Sequence, residues 1–144
     1  MIWINDYVKG LIEHYKTNNI HDIYKELKIT IYKVAKDDLV LNSNDALYIR
    51  DYFDTEIVFI RDDLDYKYEK FVLSHELGHA ILHTDIFTAA YNSKLINKGK
   101  LEKQADYFAL KLLNIEIDTI EYEGFTLEQI ASSLYVSEES LSSL

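Results

Sequence analysis

His75-Glu76-Leu77-Gly78-His79 fits the pattern His-Glu-x-x-His. Residues i and i+4 of an α-helix stand one above the other on one face. Two imidazoles at 75 and 79 can therefore hold one zinc ion between them, at ~2.0–2.1 Å each. Glu76 lies ~100° round the helix from His75. It sits beside such an ion rather than on it, placed to take a proton from an attacking water. Phe71, Val72, Ala80 and Ile81 supply apolar anchors, and the periodicity predicts a helix from about Tyr66 to His83.

A catalytic zinc needs three protein ligands and one open position. The downstream candidates are His83, Asp85 and Glu102. His83 continues the histidine face, but eight residues from His75 is ~12 Å along the axis, too far for all three rings to converge. It is expected beside the site or in packing. Asp85 falls just past the helix. Glu102 is favoured because Leu101-Glu102-Lys103-Gln104-Ala105-Asp106-Tyr107-Phe108-Ala109 sets Glu102, Ala105 and Ala109 on one face. Small alanines there let a second helix approach the first. Glu102 and Asp106 are acids at i, i+4, which repel in isolation; a nearby cation relieves that. Asp106 is also placed to accept a hydrogen bond from a ligand imidazole and fix its tautomer. A third histidine six residues after His79, preceded by glycine, is ruled out, since those positions are Asp85 and Leu82. Tyr91 and Tyr107 are conceivable oxyanion donors, but 12 tyrosines make neither distinctive.

Working outward, helical spacing of apolar residues runs from Ile4 to Tyr15, ending in Thr17-Asn18-Asn19, and a shorter helix is predicted from about Ile20 to Leu27. Ile29 to Val34 alternates as a strand. Ala46 to Arg50 and Glu56 to Arg61 read as an antiparallel hairpin through Asp51–Thr55. After a loop around Tyr91–Lys100 comes a helix from about Leu101 to Asn114, then two short helices between Thr126 and Leu144. The order predicts an α+β fold: N-terminal helices, a small, mostly antiparallel sheet of about three strands, a zincin-like helix, a second ligand helix and short C-terminal helices. Residues 1–115 are expected to form the metal-binding domain and 116–144 a small helical appendage. With no proline in the chain, helix stops are expected from Gly, Asn and Asp.

The 144 residues are enough for a single core. The absence of cysteine removes disulfides, thiolate ligands and a cysteine nucleophile. Met1-Ile2-Trp3-Ile4-Asn5-Asp6 has neither a basic region nor a long apolar run, and no stretch approaches the ~18 apolar residues of a membrane span. A cytoplasmic location with no membrane partner is therefore expected. A net charge of −10 repels phosphate backbones, so direct nucleic-acid binding is not expected. After Lys111 there is no Lys, Arg or His, while Glu116, Asp118, Glu121, Glu123, Glu128, Glu138 and Glu139 all follow. This reads as a solvated acidic face or a docking surface for a basic partner.

Ser74 to His83, followed by Glu102-x-x-Ala105-Asp106-x-Phe108-Ala109, resembles the ImmA/IrrE family of metallopeptidases over roughly residues 20–113. The resemblance implies a gluzincin-like site with His75, His79 and Glu102 as ligands and Glu76 as general base. It implies zinc, with manganese also open at such a donor set. It further implies a phage, mobile-element or stress-response protein that cleaves a helix-turn-helix repressor as its partner substrate. The chain departs from the family after the second helix, where Leu112-Leu113-Asn114-Ile115 replaces Met-Pro. Thr126 to Ser137 resembles the start of a helix-turn-helix unit, but without a cation it reads as a packing or substrate-docking element. The competing class is a binding module with a structural or vestigial metal that engages a regulator without cutting it. Retention of Glu76 favours the enzyme, because a structural zinc needs a fourth ligand and has no use for a general base.

Overall fold

The computed structural model describes residues 1–51, 53–83 and 98–144. The expected α+β order is present. Helices α1 (Ile2–Tyr15) and α2 (Ile20–Glu26) precede strand β1 (Thr30–Val34). A 3₁₀ turn (Leu39–Leu41), β2 (Ala46–Arg50) and β3 (Glu56–Arg61) follow. Then come α3 (Tyr66–Leu82), α4 (Lys98–Leu112), α5 (Leu127–Leu134) and α6 (Glu138–Leu141). Asp85 and Tyr91, and most of the loop expected around Tyr91–Lys100, lie outside the described residues.

Short polar side chains start these helices. Asn19 Oδ1 accepts from the Asp22 N–H at α2, the Asp65 side chain from the Lys67 N–H at α3, and the Ser137 side chain from the Ser140 N–H at α6. At α5, Thr126 and Gln129 form a reciprocal capping box. The stops match the Gly, Asn and Asp expected only in part. Lys16 (φ 55°) closes α1 and Tyr135 (φ 58°) closes α5, both left-handed, while Asn114 (φ 55°) follows α4. Hydrogen bonding past the helix end holds Tyr135 there, since its N–H reaches the carbonyls of Ala131 and Ser132.

The sheet is mixed, in the order β1-β3-β2. The β2–β3 hairpin is antiparallel, with Ala46 opposite Ile60 and Tyr48 opposite Val58. Asp51 Oδ1 pins its turn by accepting from the Phe53 N–H (2.8 Å) and the Thr55 N–H (2.9 Å). β1 pairs with β3 in parallel, Thr30 opposite Ile57 through Val34 opposite Arg61. Ala46, Tyr48, Val58 and Ile60 are buried on one face. Strand periodicity makes that the face turned to the core.

α3 is buried nearly all round: Phe71, Val72, Leu73, Leu77, Gly78 and Ala80 are all covered. Such a helix is a central one. Tyr24 of α2 ties to it by donating its hydroxyl to the Leu73 carbonyl at 2.6 Å. α4 packs closely on α3 because Gly78 faces Ala105; a Cβ at 78 would lie 3.1 Å from Ala105 Cα. Ile130, Ala131, Val136 and Leu141 of the C-terminal segment join the same hydrophobic cluster as Leu73, Leu77 and Phe108. Among the described residues, no helix is long and apolar enough to cross a membrane.

Candidate metal centre

His75, Glu76 and His79 project from α3, and Glu102 comes from the first half of α4. The close α3–α4 approach at Gly78 and Ala105 carries Glu102 to the two histidines. Glu102 Oε2 is 3.1 Å from His75 Nε2, and Oε1 is 3.0 Å from His79 Nε2. The two Nε2 atoms are 3.2 Å apart. One atom from each of His75, His79 and Glu102 lies within 4.8 Å of the others, the only such group of three metal-ligating side chains among the described residues. Two imidazoles and a carboxylate converging this closely fit a divalent cation, with a fourth position left for water.

The surrounding groups orient these three. Asp106 Oδ1 accepts from His75 Nδ1 at 2.8 Å. His79 Nδ1 lies 2.9 Å from His83 Nδ1, and His83 Nε2 lies 2.9 Å from Gln104 Oε1. The structure thus brings Asp106 and His83 against the two histidines without making either a member of the three. Gln104 has no periodic or motif signal in the sequence. The signal that finds it is the need of a fully buried His83 for a partner.

Electrostatics follow from this packing. Burial works to lower His75, but hydrogen bonds to Asp106 and Glu102 outweigh it and push the imidazole up to about 10. Hydrogen bonds from His75 and His79 hold the Glu102 carboxyl well below the usual carboxylate range. Burial raises the Glu76 carboxyl; His75 and His79 oppose the rise, as does the Tyr48 backbone N–H that donates to it. Burial lowers His83.

A cleft of about 520 Å³ opens over the cluster. Glu76 and the three converging residues line it, together with Ala46, Leu47 and Tyr48 of β2. Among the described residues, β2 has a strand neighbour on one side only, and its residues Ala46, Leu47 and Tyr48 border the cleft. Tyr68 also lines the cleft and donates its hydroxyl to Asp45 at 2.8 Å. Ser137 and Glu139 bring the C-terminal segment to the rim. Tyr107 does not line the cleft; its ring lies under Lys111, 5.3 Å from the ammonium.

Residues 25–142 match the M78 peptidase family, described as the IrrE N-terminal-like domain. The chain is 35% identical over 132 residues to Metallopeptidase ImmA of Bacillus subtilis (strain 168), covering 87% of this chain and 73% of that protein. It is 32% identical over 127 residues to Uncharacterized immunity region protein 2 of Bacillus phage phi105, covering 86% of this chain and 77% of that protein.

Proposed function

The chain belongs to the IrrE N-terminal-like family and is a metallopeptidase, and from that premise we propose that it is a zinc-dependent, site-specific endopeptidase acting on a helix-turn-helix repressor. The observation that carries the site assignment is the convergence of His75, His79 and Glu102 beside the buried Glu76. In this reading His75, His79 and Glu102 are the ligands. Zinc held there would polarise the scissile carbonyl and acidify water.

The rest falls to the chain's own groups. Glu76 takes the proton of the attacking water and returns it to the leaving amine. A carboxyl raised by burial is a better base than an exposed one, which suits this work near neutrality. The Tyr48 N–H aims that carboxylate into the cleft. The outer edge of β2 holds an extended substrate by backbone pairing, and Asp106 holds the His75 ring. The repressor as substrate is supported by the ImmA/IrrE resemblance and by the phage relative, whose name places it in an immunity region. We also propose a cytoplasmic site of action, where such a repressor works.

The test is metal content and cleavage measured together. Purified without chelators, wild type should carry about one zinc per chain, and Glu102→Ala sharply less. Glu76→Gln should keep its metal and lose ~10²–10⁴-fold in cleavage of a repressor encoded beside it. Derepression of target genes by Glu76→Gln at the wild-type level would instead establish a regulator-binding module that works without cutting.

A further inference from the structure

Tyr68 is half-buried, lines the cleft and takes no part in the chemistry above. Its hydroxyl donates to Asp45 Oδ2 at 2.8 Å. Asp45 is held in turn: its Oδ1 accepts from Arg61 Nη1 at 3.1 Å. The same guanidinium grips Asp63 through Nε and Nη2, both at 2.8 Å. An ionised carboxylate only accepts, and a guanidinium only donates. The direction of each bond is therefore fixed, and the single hydroxyl proton of Tyr68 is committed to Asp45. What the phenol oxygen keeps is acceptor capacity. Among the described residues, none donates to it.

Two rulers give its place along the cleft. The Tyr48 N–H donates to the Glu76 carboxylate, and Tyr68 donates to Asp45. The strand ladder reaches Asp45, whose carbonyl accepts from the Arg61 N–H at 3.0 Å. From Asp45 to Tyr48 is three residues of extended chain, ~10 Å. From Tyr68 to Glu76 is eight residues of helix, ~12 Å. The two agree, so β2 and α3 run side by side in one direction, with Tyr68 ~10–12 Å from Glu76. Helix side chains lean toward the N-terminus, which carries the Tyr68 ring further from His75. A donor to the oxyanion has to come within ~2.7–3.1 Å of the reacting oxygen. Tyr68 is too distant for that, and its proton is engaged elsewhere.

We propose, taking this cleft as that of a peptidase, that Tyr68 anchors the substrate by accepting a hydrogen bond from one of its backbone N–H groups, about three residues from the scissile bond. Every residue but proline carries such a donor, so the anchor sets register without selecting a side chain. Arg61 is a positioning residue that acts through Asp45 to fix the polarity of the phenol.

The probes are peptides spanning the cleavage site of the repressor encoded beside the chain, each with one backbone N–H replaced by an ester oxygen. For wild type, a single ester roughly two to four residues from the scissile bond should raise KM about 2–10-fold, the range of a neutral hydrogen bond, with kcat unchanged. Tyr68→Phe should raise KM for the all-amide peptide by the same factor. It should be indifferent to that one ester and respond to the others as wild type does. Asp45→Asn should also raise KM: Arg61 takes the amide oxygen, the amide N–H₂ faces the phenol, and the hydroxyl proton turns toward the substrate. A kcat loss of ~10²-fold or more at unchanged KM in Tyr68→Phe would overturn the anchor, since that marks a donor to the oxyanion. So would a KM rise that leaves the penalty of every ester intact, which indicates packing, or a wild-type KM in Asp45→Asn. If zinc-loaded wild type leaves the repressor whole, the peptidase reading fails and takes the anchor with it; if it cuts, the ester pattern alone decides.

Discussion

Replacing Gly78 with alanine would put a methyl carbon 3.1 Å from Ala105 Cα, 3.2 Å from Phe108 Cδ1 and 3.3 Å from the Ala105 carbonyl oxygen. Comfortable carbon–carbon contact begins near ~3.5 Å. Two of these three atoms are backbone, so no rotamer change relieves the overlap, and α4 must withdraw by roughly 0.5 Å to restore ordinary contact. Overpacking of this kind costs ~1–3 kcal/mol. Alanine in a helix interior recovers ~1 kcal/mol relative to glycine. Net stability should therefore fall by only ~0–2 kcal/mol, the difference of those two terms. Metal binding should suffer more, because Glu102 is three residues from Ala105 on the helix that moves. Metal–ligand distances tolerate only ~0.2 Å, so zinc affinity should drop at least ~10-fold, as when a ligand's support is lost. Chelator competition measures the affinity and urea unfolding the stability. Gly10, in the middle of α1, is the control: nothing lies within 4 Å of a Cβ added there. Gly10→Ala should gain ~0.5–1 kcal/mol and leave zinc binding unchanged. If Gly78→Ala behaves like Gly10→Ala on both measurements, close helix approach is not what places Glu102.

Folding favours the protonated form of His75 in the metal-free protein, since its imidazole is pushed up to about 10 from an ordinary 6.5. That contribution to stability is complete below the unfolded value near 6.5 and disappears as pH rises through about 10. Thermal unfolding of metal-free protein should show this loss, and the slope should shrink in Asp106→Asn. The same proton must leave when a cation binds. Zinc titrations in buffers of different ionisation enthalpy should report release of about one proton per ion at pH 7–8, and no release would contradict the His75 assignment. Tyr24→Phe removes the hydroxyl that donates to the Leu73 carbonyl. The expected loss is ~1 kcal/mol in urea unfolding, with zinc affinity unchanged.

What the sequence made legible was local. The hairpin bounds at Ala46–Arg50 and Glu56–Arg61 coincide with the strands, because period-2 alternation and an Asp-rich turn are properties of neighbours. The spacing of His75 and His79 and the alanines behind Glu102 likewise announce helix faces, and the structure brings those faces together. Pairings across long separations left no such trace. Nothing in Thr30–Val34 says that it lies parallel to β3 rather than beside β2. Gln104 is one polar residue on a partly covered helix; only the burial of His83 gives it meaning. The arrival of Ser137 and Glu139 at the cleft depends on how α6 packs on α4, which no short window encodes. Lys16 and Tyr135 as helix stops depart from the usual preference for glycine in left-handed backbone, Tyr135 being held there by its own helix's last carbonyls.

The C-terminal wall of the cleft also sets an order of events during synthesis. His79 leaves the ribosome 60 residues before Glu139. At the usual ~5–20 residues per second that is a delay of roughly 3–12 s. During that interval α3 exists without the rim that Ser137 and Glu139 supply, and before Val136 and Leu141 have joined the core. A nascent chain therefore has His75, Glu76 and His79 well before it has every residue that lines the cleft over them.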